Sequence, residues 1–300
     1  MAHITKFLNK LPPANHIIAY GSTILKKPGQ GIDPNAQIDL IISVKDSLTW
    51  HKENMKENPS DYSQKALKSG AEYLISSVKK AAGIHYNPLI EFEGKKFKYG
   101  VCEIYDLCQD LRNWDTLYLA GRFQKPTLAL VEDKSVIEAQ TTNLKSALAF
   151  AVLTLPSLTT EDKLYEKITT ISYKGDRRVE DPNKIRNIVE GNMKEFRTLY
   201  EKYIKDLGLS LENGVLERQW DIEKLIEKLP KWIQEENPHL VYLENETREE
   251  ALFNSVSQKN AYYSSQQIKH AVRTTGLLKI IEYSWAKLMK AIKGRSNKNK

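Results

Sequence analysis

Two short apolar runs, separated by a polar loop rich in glycine and proline, constrain the fold of this chain more than any other feature. The first run, HIIAY, ends at Gly21-Ser22, and the second, QIDLIISV, spans residues 37–44. Runs of this length and content, bounded by turn residues, predict strands. The second run contains one carboxylate, Asp39, and a buried carboxylate without a partner either loses its charge or binds a cation. The pattern therefore predicts a cation beside Asp39, either a bound metal ion or a lysine that pairs with it.

Beyond these two strands, the sequence changes from an alternating pattern to a helical one. Helices are predicted at 47–58 and 61–82, and strands in the segments KFKYGVCEIYDL and LYLAGRFQKPTLALV. From there to the C-terminus, apolar residues recur mostly at helical spacing. We therefore predict the fold class α/β, with an α/β domain at 1–132, a mostly helical domain at 133–250 and a basic helical region at 251–300.

The excess of basic residues narrows the class of partner. The formal net charge is +7, which indicates an anionic partner such as a nucleic acid, a nucleotide or an acidic lipid. The sequence has no P-loop, GxSxG, HExxH or CxxC motif, so it lacks the usual signatures of P-loop ATPases, serine hydrolases and zinc enzymes. The longest apolar run, in ALAFAVLTLP, is roughly half the ~20 residues of a membrane span. Any membrane contact is therefore expected to be peripheral.

The positive charge concentrates at the C-terminal end. Residues 266–300 hold nine lysines and arginines against a single acid, Glu282, and their apolar residues repeat at helical spacing. A basic amphipathic helix that carries tryptophan is typical of an interfacial membrane anchor; the alternative is a helix packed on the core with solvated lysines. The predicted membrane-binding residues are Lys269, Arg273, Lys279, Trp285, Lys287 and Lys290.

Six segments, in a fixed order, resemble a known family. They read YGS, DLIISVKD, WHKENMKENPSDYS, GIHYNPLIEFEGKKFKYGV, LYLAGRFQKP and ISYKGDRR. The series, which lies within residues 17–195, resembles the mitochondrial translocator assembly and maintenance family of peripheral CDP-diacylglycerol synthases, in the polymerase-β-like nucleotidyltransferase superfamily. YYSSQQIKHAVRTTG is a looser match. The chain departs from the family pattern at Thr23 and Leu40, where the family usually has Gly and Phe.

The resemblance implies a fold and a reaction. The expected fold is a polymerase-β-like nucleotidyltransferase domain followed by a winged-helix-like domain and a C-terminal amphipathic helix. The expected reaction converts CTP and phosphatidic acid to CDP-diacylglycerol and pyrophosphate, with Mg²⁺ as cofactor, in the biosynthesis of phosphatidylglycerol and cardiolipin. The expected partners are CTP, phosphatidic acid and an anionic membrane surface.

The resemblance also implies roles for residues of the first two strands. Gly21 and Ser22 are expected to bind the CTP phosphates, because glycine allows the backbone to approach closely and offer its N–H groups. Asp39 is expected to bind Mg²⁺. Asp46, just after the second strand, is either a second metal ligand or the N-cap of the next helix.

The next helix offers candidate ligands for the nucleotide. His51, Asn54 and Asn58 share one helix face by their spacing. A neutral polar stripe of this kind suits hydrogen bonding to the ribose or cytosine, and the alternative is a solvated face.

Three further residues complete the expected site. Lys125, which precedes Pro126, is expected to project from a strand and to bind phosphate, unless it is a surface lysine. In the GDRR turn, Arg178 is expected to bind a phosphate and Asp176 to complete the metal site, unless the two form a local ion pair. The expected catalytic residues are Asp39, Lys125 and Asp176.

Two other functions compete with this interpretation. One is a nucleotidyltransferase of the same superfamily that modifies RNA or a protein; the other is a non-catalytic membrane adaptor. Trp285 on an apolar helix face favours a lipid over a nucleic acid, so no nucleic-acid partner is expected. Because no presequence is recognisable, we expect the inner face of a bacterial membrane, whereas eukaryotic relatives act on the matrix side of the mitochondrial inner membrane.

Overall fold

A computed structural model of the chain describes residues 2–21, 24–26, 36–176, 182–212, 214–217 and 221–275. Five strands form its main sheet: β1 (His16–Tyr20), β2 (Ile38–Val44), β3 (Ile84–Phe92), β4 (Lys95–Glu103) and β5 (Leu128–Val131). Their spatial order is β3-β4-β2-β1-β5. β2 is parallel to β4, and the other neighbouring pairs are antiparallel. The two strands predicted from the opening pattern are confirmed, as is the α/β class.

Helices cover both faces of this sheet. They are α1 (Ala2–Leu8), α2 (Ser47–Glu57), α3 (Gln64–Val78), α4 (Ile104–Asn113), α5 (Ala120–Phe123) and α6 (Lys134–Leu153), with a 3₁₀ turn at Pro59–Asp61. α2 and α3 begin at side-chain caps: Asp46 accepts from the Thr49 N–H at 3.1 Å, and Ser63 accepts from the Ala66 N–H at 3.0 Å. Such caps satisfy N–H groups that have no partner within the helix.

Two predicted strands are partly wrong. The chain leaves β4 at Glu103 and forms α4, although IYDL is rich in strand-favouring residues. Leu107, Cys108 and Leu111 lie on one side of the helix and are buried in the main core, so packing overrides local preference. In LYLAGRFQKPTLALV, only the last four residues form a strand, β5, and residues 120–123 form α5.

The remaining described elements are mostly helical. They are α7 (Glu161–Ile171), α8 (Pro182–Glu190), α9 (Met193–Asp206), α10 (Ile222–Ile226), α11 (Lys231–Glu236), a 3₁₀ turn at Leu240–Tyr242, and α12 (Asn245–Thr275). A small antiparallel sheet of β6 (Leu158–Thr160), β7 (Ser210–Glu212) and β8 (Val215–Glu217) has the order β6-β8-β7.

The main sheet separates two cores. Because side chains alternate between the faces of a strand, Ile41 packs with α4 and α6 in one cluster of buried residues, and Leu40 packs with Phe7 of α1 and Trp50 of α2 in another. We call these the α6 face and the α2 face. Asp39 alternates with Leu40 and therefore belongs to the α6 face.

α6 lies at the centre of the first core. Its residues 146–153 are all buried, which explains why this segment is almost entirely apolar around the helix. Among the described residues, no helix is long and apolar enough to cross a membrane. The same core contains Ile18 of β1 and Val256 of α12, so buried contacts run across residue 132, and the domain limits stay predictions.

α12 connects the helical part to the sheet. It runs without a break through residues 250 and 251. Near its C-terminal end, Gln267 donates to the Ile84 carbonyl at 2.9 Å, and His270 Nε2 lies 3.1 Å from His85 Nδ1. The other ring nitrogen of His270 lies 2.8 Å from the Ser77 hydroxyl. The last turns of α12 are thereby fixed to β3 and α3.

Candidate active site

Gly21 and Asp39 meet at one end of the main sheet. β1 ends at Tyr20, whose register partner on β2 is Asp39, so Gly21 follows directly beside the carboxylate. Gly21 has a φ of +77°, and a Cβ there would lie 3.2 Å from Asp39 Oδ2. Both the left-handed backbone and the close approach favour glycine. Ser22 lies outside the described residues.

The lone carboxylate has its predicted cation neighbour, a lysine. Lys98 is the register partner of Asp39 on β4, and its Nζ lies 3.9 Å from Asp39 Oδ1 and 4.4 Å from the centre of the Tyr86 ring. The Gln37 amide donates to the same oxygen at 2.8 Å. Asp39 and Lys98 are 19% and 18% exposed, so solvent and ligands can reach the pair.

Asp39 also fits a magnesium ion bound with a nucleotide. In the described ranges, no group of three or more histidine, cysteine or acidic side chains could hold a metal by itself. Mg²⁺ commonly takes only one or two protein carboxylates and fills its other positions with phosphate oxygens and water. A single exposed carboxylate beside a glycine turn is a donor set of that kind.

Two cations lie beside this end of the sheet, on α5 and the turn after it. The Arg122 guanidinium stacks on Tyr118, with 4.0 Å between its Cζ and the ring centre, and lies 5.9 Å from the Tyr20 ring. Burial, followed by the charge of Asp39, raises the pKa of the Tyr20 phenol, and Tyr20 is also the register partner of Asp39, so Tyr20 neighbours both the guanidinium and the carboxylate. We call Tyr20, Tyr118, Arg122 and Lys125 the basic cluster.

Lys125 is a buried member of this cluster, 8% exposed. Its ammonium donates to the Ser172 hydroxyl at 2.8 Å and to the Gly121 carbonyl. Burial, followed by the charges of Arg122 and Lys184, lowers its pKa to about 7. Lys125 lies in the turn between α5 and β5, so it does not project from a strand as predicted, and it is not a surface lysine.

A buried carboxylate, Asp110, builds the loop that carries the basic cluster. Its Oδ1 accepts from Thr116 N–H at 2.6 Å, Thr116 Oγ1 at 2.9 Å and Leu117 N–H at 2.8 Å. Its Oδ2 accepts from Leu119 N–H at 2.9 Å and Ala120 N–H at 2.8 Å. These bonds hold Leu117 at a φ of +58° and start α5 at Ala120, which sets the position of Arg122.

The turn after α7 packs against this loop. A Cβ on Gly121 would lie 2.2 Å from Ser172 Cβ, so the close contact requires glycine. Asn260 of α12 donates to the Ile171 and Lys174 carbonyls at 2.8 and 2.9 Å, which fixes the turn on its other side. Asp176, half-buried, follows directly; its N–H donates to the Tyr173 carbonyl at 3.1 Å.

The loop after Gly21 is held by the helical part. The Lys26 N–H donates to the Asn192 side-chain oxygen at 2.8 Å, and the Asn192 amide donates to the Lys26 carbonyl at 3.0 Å. A Cβ on Gly191 would lie 2.3 Å from that carbonyl. The corner between α8 and α9 therefore contacts the same loop that carries the glycine turn.

His51 and Asn54 lie elsewhere, on α2 beside Tyr62 and Tyr99. Both are fully buried. The Asn54 amide donates to the hydroxyls of Tyr62 and Tyr99 at 2.9 and 2.8 Å, and His51 Nδ1 lies 2.7 Å from the Tyr62 hydroxyl. Burial lowers the pKa of His51 to about 3. Burial of His51 and Asn54 contradicts the solvated-face alternative for these two residues, and their role in binding a nucleotide stays a prediction.

The sheet separates these residues from Asp39. Tyr99 follows Lys98 on β4 and belongs to the α2-face core. Its hydroxyl donates to Asp61 Oδ2 at 2.8 Å, and Lys10 donates to Asp61 Oδ1 at 3.2 Å. We call His51, Asn54, Asp61, Tyr62 and Tyr99 the closed cluster.

The structure places Asp46 in the cap position and not in a metal site with Asp39. Asp46 comes seven positions after Asp39 and two residues beyond the end of β2, about 23 Å away at the usual strand rise. The Asp46 carboxylate accepts from the Thr49 hydroxyl at 2.5 Å as well as from its N–H. These hydrogen bonds lower its pKa. Of the two roles predicted for Asp46, these contacts therefore support the N-cap of α2.

Several predicted residues fall outside the described ranges. Arg178, Lys279, Trp285, Lys287 and Lys290 are among them. Lys269 and Arg273 are exposed on the last turns of α12.

Sequence reasoning missed several side chains near Asp39 or the basic cluster. They are Tyr20, Tyr86, Lys98, Tyr118, Arg122 and Tyr173. The motif LYLAGRFQKP contains Arg122 and Tyr118, so treating the whole motif as functional would have found them. Lys98 and Tyr86 come to Asp39 only through strand register, which the sequence does not specify.

Known proteins match most of the chain. A family model described as "Phosphatidate cytidylyltransferase, mitochondrial" matches residues 4–290. Proteins of that name are similar to it. The Mus musculus protein is 33% identical over 309 residues, 93% of this chain and 91% of the relative, and the Danio rerio protein is 33% identical over 320 residues, 96% and 94%.

Another relative matches over a shorter region. The Schizosaccharomyces pombe protein of that name is 38% identical over 205 residues, and the match covers 66% of this chain and 52% of the relative. The chain thus spans about half the length of this relative and nearly the full length of the mouse and zebrafish proteins. With the glycine turn, the strand carboxylate and the two cations in place, these matches show that the chain belongs to the family of mitochondrial phosphatidate cytidylyltransferases.

Proposed function

We propose that this chain is a phosphatidate cytidylyltransferase that converts CTP and phosphatidic acid to CDP-diacylglycerol and pyrophosphate. One observation carries the proposal: Gly21 and Asp39 lie side by side at the sheet end, next to the cations Arg122 and Lys125. A metal-binding carboxylate, a glycine turn and a cationic wall are the groups that nucleotidyl transfer requires, because the reaction depends on positioning and on neutralising phosphate charge.

The proposed reaction is an in-line displacement. A phosphate oxygen of phosphatidic acid attacks the α-phosphorus of CTP, the bond from that phosphorus to the bridging oxygen breaks, and pyrophosphate leaves. Asp39 would hold Mg²⁺, which would supply positive charge to offset the negative charge of the phosphates. No covalent nucleophile of the protein is needed.

Residue roles follow from position. The backbone at Gly21 and Ser22 holds the triphosphate, and Asp39 holds the metal ion once Lys98 releases it. Lys98 and Lys125 then face phosphate oxygens. Asp176, in the turn whose Ser172 contacts Lys125, is proposed to complete the metal site, and Arg178, two residues later in the chain, is proposed to bind a phosphate.

The finer fold assignment is also proposed. The order β6-α7-α8-α9-β7-β8, with β6 paired to β8, is the order expected of a winged-helix-like domain. We propose it as the second domain, over 133–250, after a polymerase-β-like domain over 1–132. The long helix α12 would then span the end of the second domain and the first half of the basic region at 251–300.

We propose that the basic region binds an anionic membrane, where the lipid substrate resides. Lys269 and Arg273 are exposed at the end of α12, directly before residues 276–300, which contain seven further lysines and arginines. The relatives are named mitochondrial, which favours a mitochondrial membrane surface over the bacterial one expected from the sequence.

The test is pyrophosphate release from CTP and Mg²⁺, with and without phosphatidic acid in detergent micelles. Wild type is compared with Asp39→Ala. Release that requires the lipid and disappears in the variant supports the proposal. Folded wild-type protein that releases no pyrophosphate in the presence of the lipid would contradict it, and release that requires RNA or a protein acceptor would identify a different nucleotidyltransferase.

A further inference from the structure

The basic cluster holds two positive charges, those of Arg122 and Lys125, close to the positive charge of Lys184 on α8. The charges of Arg122 and Lys184 contribute, after burial, to lowering the pKa of Lys125. The Lys125 and Lys184 ammonium groups lie 5.1 and 4.8 Å from the same ring, that of Tyr173. In the part of the chain that the structure describes, no carboxylate forms an ion pair with Arg122 or Lys125.

The neighbours of Arg122 fix its orientation. Its guanidinium stacks on the Tyr118 ring, donates one N–H to the Tyr118 carbonyl and hydrogen-bonds the Tyr20 side chain, whose ring centre is 5.9 Å from its Cζ. A guanidinium has five N–H donors in a planar fork, and aromatic neighbours hold this plane without neutralising it. A fixed, half-buried fork of this kind is suited to bidentate contact with phosphate oxygens.

The arrangement costs stability unless an anion binds. Like charges at short distance repel, and burial of Lys125 makes its charged form less favourable still. An anion with two negative charges would reverse both effects. Proteins retain such unfavourable arrangements chiefly at functional sites.

We infer that Arg122 and Lys125 form one subsite for a phosphate group. The inference rests on the proposed function for the identity of the molecule that carries this phosphate. Two substrates of that function carry one: CTP in its triphosphate and phosphatidic acid in its phosphomonoester. Arg122 supplies the fork, Lys125 supplies a point charge from the other side, and Tyr118 keeps the guanidinium plane in place. The subsite adjoins the Gly21–Asp39 end of the sheet through Tyr20.

Direct binding tests the subsite without turnover. Pyrophosphate binding is measured by calorimetry in EDTA, so that no metal ion held by Asp39 contributes, on wild type, Arg122→Gln and Arg122→Lys. Arg112→Gln, which removes an arginine from α4, is the matched control. We expect about tenfold weaker binding for Arg122→Gln, a smaller loss for Arg122→Lys, which keeps the charge but not the fork, and wild-type binding for the control.

Steady-state kinetics distinguish the two phosphate sources. If the subsite takes the triphosphate, Arg122→Gln raises the KM for CTP and leaves the KM for phosphatidic acid unchanged. If it takes the lipid phosphomonoester, the pattern is reversed. Either pattern supports the subsite, and unchanged pyrophosphate binding with both KM values unchanged in folded Arg122→Gln would refute it.

A second measurement covers the case in which Arg122→Gln does not fold. Wild-type melting temperature is compared in pyrophosphate and in sodium chloride of equal ionic strength, both with EDTA. Specific stabilisation by pyrophosphate is expected, and none would refute the subsite. Failure of the proposed function can be told apart from failure of the subsite. If the protein binds pyrophosphate through Arg122 but does not turn over CTP, the subsite is supported and the proposed reaction is rejected.

Discussion

The closed cluster and the basic cluster lie on opposite faces of one sheet and treat their charges in different ways. In the closed cluster, the Asp61 carboxylate meets the Lys10 ammonium and the Tyr99 hydroxyl, and Asn54 joins two phenols. In the basic cluster, Arg122 and Lys125 meet carbonyls, a hydroxyl and aromatic rings. The first contains its own counter-charge, whereas the second, within the described residues, contains none. Burial of polar groups alone therefore does not identify a binding site. A buried charge without a counter-charge is the more informative sign of one.

The largest effect is expected from Asp39→Ala. Loss of the metal ligand should lower kcat by on the order of 10³-fold, because metal neutralisation of phosphate charge contributes several kcal/mol to the transition state. The melting temperature should change little, since the carboxylate is partly exposed and its ion pair with Lys98 is long. A variant that keeps more than a tenth of wild-type kcat would place the metal site elsewhere.

Asp110→Asn and Asp61→Asn compare the two clusters directly, because both carboxylates are 3% exposed. Asp110→Asn turns amide donors toward N–H groups of the 116–120 loop and should cost about 3 kcal/mol of unfolding free energy. It should also weaken pyrophosphate binding, because the loop positions Arg122.

Asp61→Asn is the matched control for that experiment. It should cost about 1–3 kcal/mol by weakening the bonds from Lys10 and Tyr99, with KM values for both substrates unchanged. Denaturant unfolding and steady-state kinetics measure the two quantities. Equal effects of the two variants on KM would remove the distinction between the clusters.

The pKa of Lys125 predicts a pH dependence of anion binding and of stability. Its pKa is about 7 in the folded protein and about 10.4 when unfolded. Between these values the unfolded chain binds the extra proton, so this group makes stability rise with pH from about 7 upward. The charged form dominates only below about 7, so sulfate binding, in EDTA, should weaken as pH rises through 7.

Lys125→Met tests the assignment of that dependence. Sulfate keeps its charge over this range, so its affinity reports the protein groups. The variant should bind sulfate weakly at every pH and lose the slope between pH 6 and about 8. A slope that persists in Lys125→Met would assign the titration to another group.

The smallest effect is expected from Asp46→Ala. Loss of the N-cap of α2 should cost about 1 kcal/mol, and kcat should stay at the wild-type value, because the carboxylate lies at the far end of β2. Thermal unfolding measures the change in stability, and the pyrophosphate-release assay measures kcat. A loss of kcat comparable with that of Asp39→Ala would restore Asp46 as a metal ligand.

Local pattern predicted the opening strands, the helical second half and the positions of Gly21 and Asp39, because strand period and turn residues are local properties. It did not predict that His51 and Asn54 face inward, since helical spacing shows which residues share a face but not what covers that face. Their partners, Tyr62 and Tyr99, come from other elements.

The basic cluster was predictable only in part, for a similar reason. Lys125 was found through its motif, but its burial depends on Ser172, 47 residues away in the chain. The role of Asp110 requires knowledge of a loop with left-handed residues at positions that are not glycine, and sequence gives little indication of such conformations.

α12 contacts two parts of the molecule that border the site. Asn260 binds the turn after α7, and His270 binds β3. Ten helical residues separate them, a rise of about 15 Å. Since the helix has no break, the separation between that turn and the sheet edge is fixed by helix geometry. A shift of the turn that carries Asp176 away from the sheet would have to disrupt α12 or one of its two attachments, so the width of the site depends on the integrity of a single helix.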